Sequence, residues 1–303
     1  MLGDTKIQFS DEVHLALKSH SPIVALESTI ISHGLPRPQN LQVAREVENT
    51  VRARGAVPAT IALIDGIVHI GLSDSDLSAI ANRDDIAKAS SRDLAITVAS
   101  GKSAATTVAA TAHLAVLAGI SVFATGGLGG VHRGANESFD ESADLTALST
   151  LDITVVCAGV KSILDVGATL ERLETLAIGL VGYRTTNFPG FYLTDSGFII
   201  EHRVESAAEI AAICDARIAL KTDHAALIVA NPVLREMDRN LHNEILASGL
   251  ALAKIEGISG KAVTPFLLEH FHTSSHGESL RVNVDIIKSN AALAADIAVA
   301  IHR

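Results

Sequence analysis

The sequence predicts an α/β fold in which a mixed β-sheet is layered between helices. Short runs rich in β-branched residues alternate with longer Ala- and Leu-rich segments of helical period, as in chains that stack helices on a sheet. Asp65-Gly66 separates the apolar runs 61–64 and 67–70, and this dipeptide favours a tight antiparallel hairpin, so we expect a mixed sheet. No linker or internal repeat is found, which predicts one domain over residues 1–303.

The same two patterns predict the individual elements in chain order. The β-branched runs predict strands at 22–27, 60–70 with the hairpin inside it, 94–98, 120–125, 152–157, 176–182, 198–201 and 226–230. The Ala- and Leu-rich segments predict helices at 39–54, 74–82, 103–118, 142–150, 162–173, 206–220, 233–255, 264–271 and 279–301. The longest segment without periodicity, 183–197, is either a loop that covers a site or a plain surface excursion.

Composition excludes several classes of function. A chain of 303 residues with 48% hydrophobic and 19% charged residues can bury a large core. A net charge of -10 without a cluster of Lys and Arg argues against nucleic acid as a partner, and 3% aromatic residues without Trp provide no stacking platform for bases. Cys157 and Cys214 lie in apolar surroundings without disulfide or metal spacing, which fits a reducing compartment.

The N-terminal segment and the hydropathy bear on location. The first residues lack a basic segment followed by an apolar core, so no secretion signal is expected. No run approaches the roughly 18 consecutive apolar residues that a membrane-spanning helix needs. We therefore expect a cytoplasmic protein that does not act on a membrane.

The stretch 121–165 carries the strongest chemical signal. An apolar run ends in the glycine-rich loop 125–130, carboxylates follow, and the apolar run 153–160 leads to Lys161. Burial and the positive end of the helix predicted to follow would disfavour an ammonium ion, lower the pKa of Lys161 and leave an amine that attacks carbonyls. The alternative is an ordinary solvated lysine at a helix start.

A second candidate group is the carboxyl of Glu27, which ends the apolar run 23–26 and precedes Ser28 and Thr29. A half-buried carboxyl at the mouth of a sheet suits general acid catalysis, because desolvation raises its pKa toward neutrality. The alternative is a strand-end carboxylate whose hydrogen bonds organise the Ser-Thr turn.

Two further features predict anion or cation binding. Asp140, Glu141 and Asp144 offer oxygen ligands for Mg²⁺ or Mn²⁺, or else Ser142 and Asp144 only cap the next helix. The glycines of 126–130 let backbone N–H groups approach a phosphate, although His132 occupies the place of the third glycine of a dinucleotide motif.

The segment 101–103 resembles the end of a nucleotide-binding P-loop, but Ile96 stands where its first glycine is required, which excludes an NTPase. What remains there is a helix start with Ser103, Thr106 and Thr107, which is either an anion site or a well-capped core helix.

Two polar groups near the C-terminus are less specific. His270, His272 and His276 straddle a predicted helix end and are more typical of solvated or capping histidines than of metal ligands. The last helix carries Asn283, Asp285 and Asn290 among apolar residues, and a buried amide there needs partners in the protein or on a ligand.

Several long motifs resemble one family. They are ALESTIISHGLPRPQN at 25–40, GAVPATIALIDGIVHIGL at 55–72, ATTVAATAHLA at 105–115, FATGGLGGVHRGANESFDESADL at 123–145, CAGVKSILD at 157–165, GYRTTNFPGFY at 182–192, ANP at 230–232 and GKAVTPFLL at 260–268. Together they resemble the pseudouridine-5'-phosphate glycosidase family, which includes indigoidine-synthase-A-like proteins, over nearly the whole chain.

This resemblance implies reversible cleavage of the carbon–carbon glycosidic bond of pseudouridine 5'-phosphate, giving uracil and ribose 5-phosphate. It implies that Lys161 forms an imine with the ring-opened sugar and that Glu27 donates a proton. The imine provides an electron sink that a glycosidase with two carboxylates lacks. The alternatives are a related imine-forming lyase acting on another sugar phosphate, and a non-catalytic phosphosugar-binding accessory protein of a pigment pathway.

The resemblance also assigns the remaining site. Asp140 falls on the family's Mn²⁺ ligand, and the substrate-contacting positions fall on Lys88, Val108, Ser142, Ala143, Asp144 and Asn290, with Thr107, Thr125 and His132 as neighbours. A homotrimer with an α/β/α fold is implied, together with a separate pseudouridine kinase upstream. Ala104, Lys102 and 186–187 depart from the family pattern outside the chemical core.

Overall fold

A computed structural model describes residues 6–258 and 263–302. Its strands form one sheet, in which β3, β2, β7, β8, β11, β9 and β10 lie side by side in that order and run parallel. The strands of the chain are β1 (Ile7–Phe9), β2 (Ile23–Leu26), β3 (Val57–Ile64), β4 (Ile67–Ile70), β5 (Ala87–Ala89), β6 (Ala104–Thr106), β7 (Val122–Ala124), β8 (Thr154–Cys157), β9 (Gly179–Tyr183), β10 (Arg203–Val204) and β11 (Leu227–Ala230).

The predicted hairpin makes the sheet mixed. Strand β4 pairs antiparallel with the second half of β3, and β6 also pairs antiparallel with β3. Asp65 and Gly66 both have positive φ, 49° and 80°, as the two-residue turn of a tight hairpin requires. Strands β1 and β5 then extend this end of the sheet through β4 and β6. The predicted mixed sheet is confirmed.

Helices cover both faces of the sheet, as predicted. Side chains alternate along β2, so that Ile23 and Ala25 enter one core with α1, α5 and α7, whereas Val24 and Leu26 enter another with α2, α9 and α12. The helices are α1 (Asp11–Lys18), α2 (Gln39–Ala53), α3 (Asp74–Asn82), α4 (Leu94–Ala99), α5 (Val108–Leu117), α6 (Ala135–Ser138), α7 (Ala143–Leu148), α8 (Val166–Thr175), α9 (Ala207–Leu220), α10 (Arg239–Ile255), α11 (Val263–Ser274) and α12 (Glu278–Ile301).

Several predicted boundaries were wrong. The predicted strand 94–98 is helix α4, because only Leu94 and Thr97 are buried, a helical spacing that its β-branched residues conceal. The predicted helix 103–118 begins at Val108, since 104–106 pairs as β6. The predicted strand 198–201 contributes one isolated bridge, and the helices predicted from 162 and 233 begin at Val166 and Arg239.

Other elements were not predicted. They are β1, α1, β5, α6, β10, a π-helical turn at Ile30–Gly34 and a 3₁₀ turn at Ser91–Asp93. In the part of the chain that the structure describes, no helix has the length and apolar character needed to cross a membrane.

Candidate active site

The candidate site lies where β2, β7 and β8 end. Glu27 follows β2, Thr125 follows β7, and Lys161 follows β8 by four residues. Because these neighbouring strands are parallel, their carboxyl ends meet at one edge of the sheet, which is where α/β sheets bind ligands.

Glu27 is a buried carboxyl with a hydroxyl partner. Only 9% of the residue is exposed, and the Thr125 hydroxyl donates a short hydrogen bond to its Oε1. Burial raises the pKa of Glu27 above its ordinary value, and the Asp144 carboxylate adds to this, whereas Lys161, Thr125 and Lys88 oppose it. The net effect favours a protonated carboxyl, which is the form a general acid needs.

The Ser28-Thr29 turn after Glu27 is held by hydrogen bonds that do not involve Glu27. The Ser28 hydroxyl donates to the Ile61 carbonyl at 2.7 Å and accepts from the Thr106 N–H at 2.9 Å. The Thr29 hydroxyl donates to the Thr106 carbonyl at 2.7 Å. The turn is therefore held by β3 and β6, and the Glu27 carboxyl is not used to organise it.

Lys161 is half-buried, and its charge acts on both Glu27 and His132. The backbone N–H of Lys161 donates to the Leu128 carbonyl at 3.2 Å, which places the residue alongside the glycine-rich loop. Its charge lowers the pKa of Glu27 and also that of His132, whose pKa burial lowers further. Helix α8 begins only at Val166, so the predicted position of Lys161 at a helix start was wrong.

Three of the four glycines of 126–130, Gly127, Gly129 and Gly130, are needed for close packing. A Cβ at Gly127 would lie 2.6 Å from Cδ2 of Phe191, and one at Gly129 would overlap the Ser142 hydroxyl. The loop also bonds its neighbours, with the Leu128 N–H donating to the Gly159 carbonyl at 3.0 Å. Packing against these neighbours accounts for these three glycines without a phosphate.

The three acidic residues of 140–144 do not converge. The Asp140 carboxylate lies 3.9 Å from Nδ1 of His132, whereas Glu141 accepts from Arg172 Nε at 2.9 Å. Among residues 6–258 and 263–302, no group of three or more His, Cys, Asp or Glu side chains could hold a metal ion. Of the three, Asp140 alone keeps a partly exposed carboxylate at the site.

Asp144 ties the start of α5 to the glycine-rich loop. Its Oδ1 accepts from the Ala109 N–H at 3.0 Å and its Oδ2 from the Gly129 N–H at 2.8 Å. The Ser142 hydroxyl caps α7 by accepting from the Asp144 N–H at 3.2 Å. This confirms that 142–144 caps a helix, and it brings Ser142, Ala143 and Asp144 close to Thr107 and Val108 at the start of α5.

The start of α5 resolves the other predicted anion site. Thr107 caps the helix by accepting from the Ala110 N–H, while the hydroxyls of Ser103 and Thr106 bond to Asp65 and to the Ile61 carbonyl. Within the described ranges, the Val108 N–H has no recorded acceptor. Of the N–H groups of this first turn, that of Val108 therefore remains available to an anion, because those of Ala109 and Ala110 are bonded to Asp144 and Thr107.

Lys88 reaches the site from β5, a strand that was not predicted. Burial is the largest influence on the pKa of Glu27, which it raises, and on that of His33 in the π-helical turn, which it lowers; the Lys88 charge lowers both. The Lys88 Cα pairs in register with Ala105 of β6. Through this pairing the sheet carries Lys88 to the same edge as Glu27 and Lys161.

The two asparagines of α12 have different partners. Asn290 donates to the Thr125 carbonyl at 2.7 Å and accepts from Asn231 Nδ2 at 2.9 Å, so its amide is committed to the protein. Asn283 is 4% exposed, faces Gly126, and has no hydrogen-bond partner among the described residues. The free amide that the sequence pattern pointed to is therefore that of Asn283, two turns before Asn290.

The aperiodic segment 183–197 forms a wall of the site. Phe188, Phe191 and Tyr192 are buried, and Phe191 lies against Gly126 and Gly127. The middle of the segment is therefore buried against the candidate site and is not a plain surface excursion. The three histidines of 270–276 do not come together on a metal, since His270 contacts Ser248 and His272 bridges Ser279 and the Gly34 carbonyl.

Residues 12–300 match the model of the family described as "Indigoidine synthase A like protein". The chain belongs to this family. A relative from Salinispora tropica named pseudouridine-5'-phosphate glycosidase is 59% identical over 291 residues, which covers 95% of this chain and 90% of the relative.

Two solved structures of indigoidine-synthase-A-like fold superpose over nearly the whole chain. An indigoidine synthase A-like protein from Thermotoga maritima is 37% identical with a TM-score of 0.89, covering 99% of this chain and 97% of its own. The prealnumycin C-glycosynthase AlnA, in complex with ribulose 5-phosphate, is 34% identical with a TM-score of 0.90, covering 98% and 97%. The predicted fold class and family are confirmed.

Proposed function

We propose that this enzyme reversibly cleaves the carbon–carbon glycosidic bond of pseudouridine 5'-phosphate to give uracil and ribose 5-phosphate. The observation that carries the proposal is the pairing of a buried carboxyl, Glu27, with the half-buried amine of Lys161. The relative at 59% identity, named for this activity, supports the same substrate. A binding protein would have no use for a proton donor held beside an amine.

The mechanism assigns one role to each group. The Lys161 amine, in its unprotonated form, adds to the anomeric carbon, the bond from that carbon to the ring oxygen breaks, and the proton that the nitrogen loses passes to the ring oxygen. The bond from that carbon to uracil then breaks, the nitrogen lone pair forms an iminium, and the Glu27 proton ends on the released uracil carbon. Water hydrolyses the iminium to ribose 5-phosphate, which frees the amine and returns a proton to Glu27.

Substrate positioning is assigned to the groups around this pair. The first turn of α5, with Thr107 and Val108, and the Lys88 ammonium provide positive potential for the phosphate. The amide of Asn283 offers a donor and an acceptor to the ligand, which suits the edge of a base. We assign to Asn290 an indirect role, because its own amide is already bonded.

A divalent cation, Mn²⁺ or Mg²⁺, fits this site only with few protein ligands. The Asp140 carboxylate and the neutral imidazole of His132 are the residues that would hold it, and water or phosphate oxygens would supply the remaining ligands. The bound cation would neutralise phosphate charge and orient the substrate.

The decisive experiment pairs Lys161→Ala with Lys102→Ala, a lysine outside the site. We expect wild type and Lys102→Ala to release uracil from pseudouridine 5'-phosphate and to trap ribose 5-phosphate on Lys161 after borohydride reduction with Mn²⁺ present. Lys161→Ala should lose both, by at least about 10³-fold in kcat, because the covalent route is gone. Uracil chromatography and peptide mass spectrometry measure the two outcomes, and full activity of Lys161→Ala would refute the mechanism.

A second candidate function is formation of a carbon–carbon bond to a nucleophile other than uracil. The observation that favours it is the likeness to AlnA, a C-glycosynthase bound to a pentulose phosphate. In the assay above, a Lys161 adduct without uracil release would select this alternative. Neither adduct nor uracil would select a non-catalytic phosphosugar-binding protein.

The remaining assignments concern organisation and context. We propose a single domain, supported by the family match over residues 12–300, a homotrimer and a cytoplasmic location. Because the substrate is a nucleoside monophosphate, a separate kinase that phosphorylates pseudouridine must act before this enzyme. Light scattering of the purified protein checks the trimer.

A further inference from the structure

We propose that Asn231 is a positioning residue that holds the proton donor Glu27 in place through Asn290 and Thr125. This inference rests on the proposed function, in which Glu27 donates the proton. Asn231 follows β11. In the sheet, β8 separates β11 from β7, and β7 lies next to β2, the strand that leads to Glu27. Asn231 has no contact with Glu27 itself. Its influence is carried by a continuous series of hydrogen bonds.

The first link is between two buried amides. Asn231 is 7% exposed and Asn290 is 1% exposed. Asn231 Nδ2 donates to the Asn290 Oδ1 at 2.9 Å and to the Ser289 hydroxyl at 3.1 Å. The N–H of Asn231 donates to the Cys157 carbonyl at 2.8 Å, which continues the pairing of β11 with β8 beyond the strand end. Asn231 is therefore fixed. Because its Nδ2 donates to Asn290, it requires the oxygen side of the Asn290 amide to face it, and this sets the orientation of that amide.

The second link reaches the strand next to Glu27. With its oxygen turned to Asn231, the Asn290 amide directs Nδ2 at the Thr125 carbonyl, 2.7 Å away. That carbonyl lies just past the end of β7, where the Thr125 N–H still donates to the Val156 carbonyl at 3.0 Å but the Ala158 N–H bonds to the Gly126 carbonyl and leaves the Thr125 carbonyl to Asn290. Asn290 replaces the missing ladder bond and fixes the Thr125 backbone.

The third link is the hydroxyl of Thr125, which donates to Glu27 Oε1. This bond holds the carboxyl in one orientation and stabilises its ionised form. The charged groups that face Glu27 are Lys161 after β8, Lys88 on β5 and Asp144 on α7. Loosening Thr125 should therefore misplace the donor and move its titration to higher pH, with those three charges unchanged.

The test compares Asn231→Ala with Ser289→Ala, which removes the other Asn231 partner but leaves the path to Glu27 intact. Thr125→Val serves as the reference for losing the last link. We expect Asn231→Ala to lower kcat about tenfold, a fraction of the roughly 10²–10⁴-fold that a positioned acid contributes. The alkaline limb of its kcat–pH profile should move to higher pH, as in Thr125→Val, whereas Ser289→Ala should resemble wild type.

Crystal structures of the same variants separate this inference from the proposed function. If wild type does not release uracil, the proposed function fails, and the displacement of the Thr125 hydroxyl from Glu27 in Asn231→Ala still tests the positioning. An unchanged Thr125–Glu27 contact and an unmoved alkaline limb would overturn it. Should Asn231→Ala not fold, Asn231→Leu, of similar size, is measured instead with the same expectations.

Discussion

At the scale of single residues, the site is defined by which polar groups the protein leaves available. The Glu27 carboxyl accepts a hydrogen bond from Thr125 and is influenced by the Lys161 charge, whereas the polar atoms of Asp144 and Asn290 are bonded to backbone groups and to Asn231. We therefore expect the second group to shape the site without meeting the substrate through those atoms. Burial alone does not tell whether a polar group has a partner, because Asn283 and Asn290 are both almost inaccessible and only the Asn290 amide is bonded to other residues in the described part of the chain.

The two asparagines of α12 give a matched pair of variants. Asn290→Ala removes three contacts and leaves the Thr125 carbonyl and an Asn231 N–H without partners, so we expect a loss of about 1–3 kcal/mol in the free energy of unfolding. Asn283→Ala removes no internal hydrogen bond and should cost less than about 1 kcal/mol. Urea denaturation measures both.

Asn283→Ala should affect catalysis more than it affects stability. Because the Oδ1 of Asn283 lies beside Gly126 of the glycine-rich loop, we expect Asn283→Ala to lower kcat/KM for pseudouridine 5'-phosphate by about tenfold or more, the cost of losing one or two polar contacts. Unchanged kinetics together with lost stability in Asn283→Ala would place the ligand elsewhere.

At the scale of elements, the glycine-rich loop acts as a spacer between packed surfaces. It lies between the Phe191 ring on one side and the cap of α7 on the other, and it pairs with the segment that leads to Lys161 through the Leu128–Val160 bridge. A change in the thickness of this loop would therefore move Lys161 relative to Glu27.

Adjacent glycines in this loop should differ sharply. A Cβ at Gly127 would meet Phe191 at 2.6 Å, whereas the nearest atom to one at Gly126 is at 3.5 Å, an ordinary contact. We expect Gly127→Ala to lose about 1–3 kcal/mol of stability through overpacking, and Gly126→Ala to lose less. Adding Phe191→Leu to Gly127→Ala should recover part of the loss in a thermal or urea melt. Equal losses at both glycines would contradict the packing explanation.

At the scale of the whole molecule, the fold stability depends on pH through its buried carboxyls. Burial raises the pKa of Glu27 from 4.5, so between pH 4.5 and its folded pKa the folded state binds more protons than the unfolded chain. Stability contributed by this group therefore falls as pH rises through that window. Glu27→Gln removes the dependence.

The variant should accordingly gain stability over wild type as pH rises above about 4.5 and then level off. Glu46→Gln is the control, because hydrogen bonds from Gln42 and Lys288 lower the pKa of Glu46 and place its window below 4.5. Comparing each variant with wild type at the same pH cancels the contribution of buried histidines such as His132. A flat difference for Glu27→Gln would show that its carboxyl is not desolvated.

Sequence patterns determined the fold class because they report periodicity and turn chemistry directly. The β-branched runs of β2, β7 and β8, which alternate with Ala- and Leu-rich segments, and the Asp65-Gly66 turn required only local information. Element boundaries were less predictable. Helix α4 shows why, since its β-branched residues favour a strand while its burial has a helical spacing, and only packing decides between them.

By itself, the sequence determined the fold class, the family resemblance, and the nomination of Glu27 and Lys161, because each follows a recognisable apolar run. Tertiary structure decided which polar atoms already have a hydrogen-bond partner within the protein. It assigned the asparagine with the free amide, separated Asp140 from Glu141 and Asp144, and linked Asn231 to Thr125. Those outcomes depend on contacts between residues distant in the chain, such as Thr125 with Asn290, which no local pattern encodes.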